Sequence, residues 1–425
     1  MKILVVGGGG REHAIIRKLK ENPEVTQIVA LPGNAGIAQD ATCVPIKATD
    51  IDAIVEYARA NPVDFAVVAP DDPLALGCVD RLHALGIPCF GPDARAARIE
   101  ASKVFAKDLM KKYGIPTAAY EVFDDPKAAL EYVKDAPLPL VVKADGLALG
   151  KGVVICFSRQ DAEAAVTAAM VESVFGASGS RIVIEEFLEG PEVSVLAFTD
   201  GHVVKPMVSS MDHKRAGDND TGLNTGGMGT IAPNPCYTPE VAERCMKEIF
   251  LPTVAAMNAE GCPFKGCLYF GLMVTKDGPK VIEYNCRFGD PETQVVLPLL
   301  KSDLLTIMRA VENETLEGTP VEFSDGAACC VMLASGGYPG KYEKGKVISM
   351  GSADQMAQVY HSGTALNDKG EYVTAGGRVL GVSCTADTLE NAIEKAYRAA
   401  AEIHWDGMML RHDIGKRALG ILEGK

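Results

Sequence analysis

The stretch Glu283-Tyr284-Asn285-Cys286-Arg287-Phe288-Gly289-Asp290-Pro291-Glu292-Thr293-Gln294 combines residue types and spacings that could do chemistry. It follows the apolar pair Val281-Ile282. In an extended strand residues two apart point the same way, so Glu283 and Asn285 would offer two oxygen donors to one spot. Mg2+ prefers oxygen in octahedral geometry and takes one or two protein ligands, leaving the rest of its shell to water and phosphate oxygens. The pair therefore reads as half of a magnesium site. Arg287 follows on the same face if the strand persists, with a planar fork suited to a carboxylate or phosphate. Gly289-Asp290-Pro291 then turns the chain. A strand end running into a solvated charged turn would carry the same letters, so the reading needs support from elsewhere.

That support lies upstream. Leu140-Val141-Val142-Lys143 reads as a buried strand ending in lysine, and Ala144 to Gly152 joins it to a second strand, Val153 to Cys156. Two β-runs linked through Gly150-Lys151-Gly152 make a hairpin-like flap. A Walker motif would need Gly-Lys-Ser/Thr opening a helix, and that is absent. Such a flap, with Lys151 at its tip, would fold over phosphates and shut out water while Lys143 grips them from below; an exposed hairpin with solvated lysines is the plainer alternative. Further on, Arg181 to Ile184 runs into Glu185-Glu186-Phe187-Leu188-Glu189-Gly190-Pro191-Glu192. Backbone groups of 186–188 could bond an adenine edge, with Phe187 and Leu188 against the purine and Glu192 accepting from ribose hydroxyls.

A third polar segment runs from Asp212-His213-Lys214-Arg215 through Asn224-Thr225-Gly226-Gly227-Met228-Gly229. It is too long and glycine-rich to be filler, and it is placed against the substrate or the γ-phosphate. His213 is not favoured as a base, since a loop histidine in a charged run is more often solvated. Near the N-terminus, Gly7-Gly8-Gly9-Gly10-Arg11-Glu12-His13 follows the first strand, where glycines let backbone N–H groups approach a phosphate at a helix start. A dinucleotide fingerprint is excluded by spacing, since the third glycine falls on Glu12 or His13. A monophosphate is the better ligand, a tight turn without ligand the alternative.

These pieces need a frame. A chain of 425 residues is too long for one core, and roughly three domains are expected. The net charge of −14 argues against nucleic acid or an anionic membrane as a bulk partner. The 12 cysteines include no CxxC pair and read as reduced thiols, and no apolar run spans a membrane, so a cytoplasmic location is expected. Up to about residue 100, β-rich runs (Ile3 to Val6, Gln27 to Ala30, Phe65 to Ala69, Pro88 to Phe90) alternate with amphipathic segments, which predicts an open parallel α/β sheet. The loops Gly33 to Gly36 and Pro70 to Pro73 would line the same crevice as the glycine loop. Asp93 to Tyr113 reads as one helix, as does Val295 to Val311. The last hundred residues alternate β-runs (Ala327 to Leu333, Lys346 to Met350, Val359 to His361, Arg378 to Ser383) before a closing helix, with Gly376-Gly377-Arg378 expected to pack back on the site.

The order of lysine strand, glycine flap, Glu185 to Leu188 hinge and Glu283-x-Asn285 strand resembles the ATP-grasp superfamily. The string Arg287 to Gln294, with Gly7 to His13, Asp212 to Arg215 and Asn224 to Gly229, is similar to the phosphoribosylamine–glycine ligase family over the whole length. The resemblance implies a multidomain α/β and α+β protein. Its parts would be a pre-ATP-grasp α/β domain at 1–102, an ATP-grasp domain at 103–320 with 120–192 as a mobile lid lobe, and a mixed β/α domain at 325–425. It implies ligation of glycine to 5-phosphoribosylamine with ATP and Mg2+, Mn2+ being an alternative metal, in a monomer or weak homodimer. Residue by residue, Glu283 and Asn285 would hold the metal. Lys103, Lys143, Gly150, Lys151, Glu185, Glu186, Phe187, Leu188, Glu192, Arg215 and Asn224 would surround ATP. Arg287, Asp290 and Lys214 would be catalytic, and Gly8, Gly9, Gly10, Arg11, Asp212, Gly226 and Gly227 would meet the substrates. Two departures fall in one loop: Asp218-Asn219-Asp220, where glycine is expected in the middle, and Leu223, where proline is usual before Asn224.

Overall fold

The structure, a computed structural model, describes residues 1–147 and 152–424. Strands β1 (Lys2–Gly7), β2 (Gln27–Pro32), β3 (Thr42–Cys43), β4 (Phe65–Val68) and β5 (Cys89–Phe90) form one sheet in the order β3-β2-β1-β4-β5, with every pair parallel. Helices cover both faces of such a sheet, which is why its strands are apolar without alternation and Ile3 to Val6 is wholly buried. Gly7 lies opposite Pro32, so the glycine loop and the Gly33-Asn34 loop leave the sheet side by side at its carboxyl edge. Ligands of open α/β sheets gather at that edge.

The single helix expected from Asp93 to Tyr113 is two, Ala94–Ala101 and Lys103–Tyr113. Ser102 ends the first and caps the second, its Oγ accepting from the Phe105 N–H at 3.1 Å. Asp145 fixes the joint, accepting from Ser102 Oγ at 3.0 Å and from the Val104 N–H at 2.8 Å.

Beyond it, β6 (Tyr120–Phe123), β7 (Leu140–Ala144), β8 (Val153–Cys156) and β9 (Ile182–Glu186) form an antiparallel sheet ordered β6-β9-β7-β8. Its small core, including Val133, Leu140, Val142 and Ile184, is separate from the others. The expected β7–β8 hairpin is present, with Lys143 opposite Val153; Gly150 and Lys151 at its tip lie outside the described residues.

Next come β10 (Glu192–Thr199), β11 (Val204–Pro206), β12 (Met211–Asp212), β13 (Arg215–Gly217), β14 (Thr221–Asn224), β15 (Gly229–Ala232), β16 (Gly266–Thr275) and β17 (Gly278–Asn285). Four of them make a second antiparallel sheet, β11-β10-β16-β17, and β13–β14 stand alone as a two-stranded hairpin. β12 and β15 instead join the last sheet, built on β18 (Ala327–Ser335), β19 (Gln358–His361) and β22 (Arg378–Ala386), with β20 (Thr364–Leu366) and β21 (Tyr372–Thr374) as a side hairpin and β23 (Met408–Met409) on β18. The polar segment 212–229 is thereby tied to the C-terminal sheet at both ends.

Two further expectations need correction. Val295 to Val311 is two helices, Thr293–Leu299 and Leu304–Glu312, because Asp303 caps the second by accepting from the Thr306 N–H at 2.7 Å. Lys346 to Met350 is no strand: Val347 and Ser349 make single bridges to different partners, Val373 and His404. Among the described residues, no helix is long and apolar enough to cross a membrane.

Candidate active site

Strand β17 does what its alternation requires. Tyr284 and Cys286 point into the core, 3% and 1% exposed, and the Tyr284 hydroxyl meets Thr253 Oγ1 at 2.9 Å. Glu283, Asn285 and Arg287 alternate with them and are half-buried on the other face. The ladder to β16 skips Ile282, pairing Gly271 with Glu283 and Leu272 with Val281. Such a bulge re-aims the side chains that follow it.

Cations converge on this face. Lys214 Nζ lies 3.4 Å from Glu283 Oε1 and 3.6 Å from Glu192 Oε2. Lys143 Nζ donates to the Ile282 carbonyl at 3.0 Å and sits 2.9 Å from Glu185 Oε2, while Lys107 Nζ is 3.3 Å from the other oxygen of that carboxylate. Lys103 Nζ donates to the Gly146 carbonyl at 3.1 Å. Lys214 outweighs the burial of Glu283 and, with Lys143 and Lys103, holds its carboxyl at about 2. Burial brings Lys107 down to about 8 and lowers Lys103 as well. The site thus holds an ionised carboxylate among ammonium groups on a half-buried face, where charge is screened less than in open water.

Arg287 is more constrained than its spacing suggested. Its Nη2 donates to Glu100 Oε1 at 2.8 Å and to Asn285 Oδ1 at 3.1 Å, and Nη1 to the Phe288 carbonyl at 3.3 Å. Its Nε is buried and, among the described residues, has no acceptor. Glu100 also accepts from the Cys286 N–H at 2.7 Å, fixing the strand end.

The chain then enters a second cluster. Arg378 Nη1 donates at 2.8 Å to the carbonyls of both Gly226 and Asp290, and Nη2 lies 3.3 Å from Asp290 Oδ2. Asp290 Oδ1 accepts from Gln294 Nε2 at 2.7 Å. Burial would raise the Asp290 carboxyl, but Arg378 and Arg11 outweigh it and hold it below its usual range. Arg11 donates to the Phe288 carbonyl at 3.2 Å and to Glu12 Oε1 at 2.6 Å, and Asn34 Nδ2 donates to the carbonyls of Gly8 and His361. Gly10 admits no side chain: a Cβ would stand 2.6 Å from Ser362 Oγ and 2.7 Å from Gln294 Nε2. Gly8, Gly9, Gly10, Arg11, Gly226, Gly227 and Asp290 therefore do come together. Glu12 caps the helix Gly10–Leu19, its Oε2 accepting from the Gly9 N–H at 2.5 Å; the first-turn amides that follow have no intrahelical acceptor.

Between the clusters, burial and the nearby Glu292 push the Asp212 carboxyl up. Glu292 Oε1 accepts from the Tyr269 hydroxyl at 3.0 Å, which meets Ser194 Oγ at 2.7 Å. At the other end, the Glu186 N–H is already used, donating to the Ala119 carbonyl at 3.0 Å, so its amide does not face a free edge. Phe187 packs on Phe157 with centroids 6.0 Å apart, beside Leu188. Arg215 and Asn224 face each other across the β13–β14 hairpin, where Arg215 Nη1 donates to the Gly222 carbonyl at 2.9 Å.

His213 is not solvated. It is 4% exposed, its Nδ1 lies 3.0 Å from the Gly229 carbonyl and its Nε2 accepts from the Gly415 N–H at 3.1 Å, and burial lowers it to about 4. It is a structural pin. Glu100, Lys107 and Tyr269 escaped the assigned set, while Arg378 packs back on the site as expected, though no role was assigned to it. Lys107 was within reach, four residues after Lys103 on one helix face.

Three family models match consecutive parts of the chain: the phosphoribosylglycinamide synthetase N domain at 1–100, its ATP-grasp (A) domain at 101–293 and its C domain at 328–417. A phosphoribosylamine–glycine ligase of Rhizobium meliloti is 47% identical over 420 residues, 99% of each chain. The crystal structure of phosphoribosylamine–glycine ligase from Thermotoga maritima superposes with a TM-score of 0.85 at 35% identity, covering 97% of this chain and 100% of that one. A biotin carboxylase–β-γ-ATP complex from Campylobacter jejuni superposes at 0.74 with 17% identity, over 96% and 92%, a likeness of fold alone.

Proposed function

The chain belongs to the phosphoribosylglycinamide synthetase family, and on that premise we propose which of its residues join glycine to 5-phosphoribosylamine. The ATP-dependent reaction passes through glycyl phosphate and gives glycinamide ribonucleotide, ADP and phosphate, a step of purine biosynthesis.

The single observation that carries the residue assignment is the ionised Glu283 carboxylate beside Asn285, faced by Lys214 and near Lys143 and Lys103. A glycine carboxylate meeting the γ-phosphate of ATP sets anion against anion, so the site must supply positive charge where it develops. Lys103 and Lys143 are assigned to the phosphates, Lys214 to the transferring group. Glu283 and Asn285 fit a hard divalent ion, since one is ionised and the other offers an amide oxygen on the same face; such an ion, Mg2+ or Mn2+, would supply further charge neutralisation between the phosphates. Glu185 to Leu188, Glu192, Arg215 and Asn224 are assigned to the nucleoside side. Residues 120–192, the proposed lid, would exclude water from the acyl phosphate, which water would destroy.

The amine then attacks the activated carbonyl, and no side-chain nucleophile is needed. What the chain provides is placement. Arg287 is suited to it because its buried Nε still has a hydrogen to donate. Asp290, Asp212, Gly226, Gly227 and the Gly8 to Arg11 loop are assigned to phosphoribosylamine, the loop to its 5′-phosphate through first-turn amides. We also place the protein in the cytosol as a monomer or weak homodimer, a location its twelve free cysteines suit.

The test is ADP release with each component omitted in turn. Turnover should need glycine and phosphoribosylamine together, and turnover with bicarbonate instead would overturn the assignment. For the glycine loop, Gly9→Val should raise the KM for phosphoribosylamine about tenfold, since a Cβ there lies 3.0 Å from Glu12 Oε2 and 3.5 Å from Asp290 Oδ2, leaving no room for the further methyls of valine. An equal rise for ATP would move the phosphate elsewhere.

A further inference from the structure

The β13–β14 hairpin has no hydrophobic reason to be where it is. It is a sheet of two strands, Leu223 near its end is 66% exposed, and Asn219 and Asp220 at its turn have φ of 56° and 54°, in the left-handed region. Isolated two-stranded hairpins are marginal in water, and non-glycine residues at such φ are strained. Something outside must hold it.

That something comes from nearly two hundred residues away, in the segment Arg411-His412-Asp413. Arg411 is 1% exposed, although its neighbour is a surface loop. Its Nε and Nη2 grip Asp413 in a fork, each at 2.8 Å, and its Nη1 reaches Asp220 Oδ1 at 2.8 Å and the Arg215 carbonyl at 3.2 Å. Asp413 Oδ2 in turn accepts from the Asn219 N–H at 2.8 Å. Asp218 accepts from the His412 N–H at 2.7 Å and meets His412 Nδ1 at 3.1 Å. The Asp218-Asn219-Asp220 departure noted in the sequence is thus the half of a latch that receives Arg411.

We infer that Arg411 is a positioning residue for the ligation: it locks the hairpin tip and the Arg215 backbone so that Arg215 and Asn224 are held toward ATP. The inference rests on the proposed nucleotide role of that pair. The fork on Asp413 aims the remaining Nη1 at Arg215, and a lysine cannot make both contacts at once.

In Arg411→Lys, hydrogen exchange over residues 215–224 should quicken about tenfold while β18 stays protected. The KM for ATP should rise about tenfold, with that for glycine within about twofold. Arg215→Ala should raise the ATP KM similarly, and the double variant should add little to it. Asp220→Asn, half-exposed and safe for folding, should act in the same direction more weakly. Unchanged exchange in both latch variants, equal KM changes for all substrates, or multiplying effects in the double variant would overturn the latch. An unchanged ATP KM in both Arg215→Ala and Asn224→Ala would instead overturn the nucleotide role on which it rests.

Discussion

The centre around Glu283 and the crevice around Asp290 use the same ingredients, a partly buried carboxylate flanked by cations, but assemble them differently. The first draws on the chain between Lys103 and Glu283, and its carboxylates and one of its lysines stand on ladders: Lys143 and Glu185 on paired strands β7 and β9, Glu283 on β17 paired to β16. Lys103 and Lys107 come from a helix and Lys214 from the segment between β12 and β13. The second is gathered from the start, the middle and the end of the chain, and is joined by side chains donating to carbonyls: Arg11 to Phe288, Asn34 to Gly8 and His361, Arg378 to Gly226 and Asp290. On the proposed assignment, ladders would hold charge where phosphoryl transfer needs it without reorganisation. Loops tied by single bonds, assigned above to phosphoribosylamine, would be easier to loosen.

The sharpest break of this comparison is Glu283→Ala. It removes the carboxylate that Lys214 faces, and kcat for ADP release should fall by roughly 10²–10³-fold or more. A variant that kept a tenth of the activity would show that the ladder-borne charge is not central. Arg378→Lys tests the other side. It would lose the bonds to two carbonyls at once, and should raise the KM for phosphoribosylamine about tenfold with kcat and the ATP KM little changed. A large kcat loss would mean that the two regions act as one.

The smallest effect is a pH dependence that separates them. His13 Nδ1 accepts from the His361 N–H at 2.9 Å, joining the N- and C-terminal parts of the crevice, and His213 Nε2 accepts from Gly415. Burial lowers all three, to about 4 for His213 and about 3 for His361. The unfolded chain takes up these protons near 6.5 and the native one does not, so their stabilisation is full above 6.5 and fades as pH falls toward 4 and 3. Glu283 acts in the same direction but in a lower window: its depressed carboxyl stabilises the fold above its ordinary 4.5, and that contribution fades as pH falls toward 2. Thermal unfolding at pH 7 and pH 5 should therefore show Tm falling by several degrees through the histidines alone, and less in His213→Gln. Equal loss in that variant would remove His213 from the account.

Much of the Glu283 centre was legible because strand alternation is local. With period two, Tyr284 and Cys286 had to face the core, leaving Glu283, Asn285 and Arg287 together. The β7–β8 hairpin was legible for the same reason. The breaks at Ser102 and Leu300 to Asp303 were missed because apolar periodicity runs straight across them; Ser102 and Asp303 are ordinary N-caps that could have marked them. The solvation of His213 was misjudged because its environment comes from Gly229 and Gly415, far apart in the chain. Nothing local signals that.

The sequence alone determined the parallel N-terminal sheet, the flap hairpin and the face of β17, since each follows from periodicity and turn chemistry within a few residues. Only the tertiary structure decided that Glu100 holds Arg287, that Arg378 closes the crevice on Asp290, and that Arg411 receives the Asp218 to Asp220 turn. Those pairings span tens to hundreds of residues. A side chain's partner at that range is set by how whole sheets pack, and no local pattern encodes it.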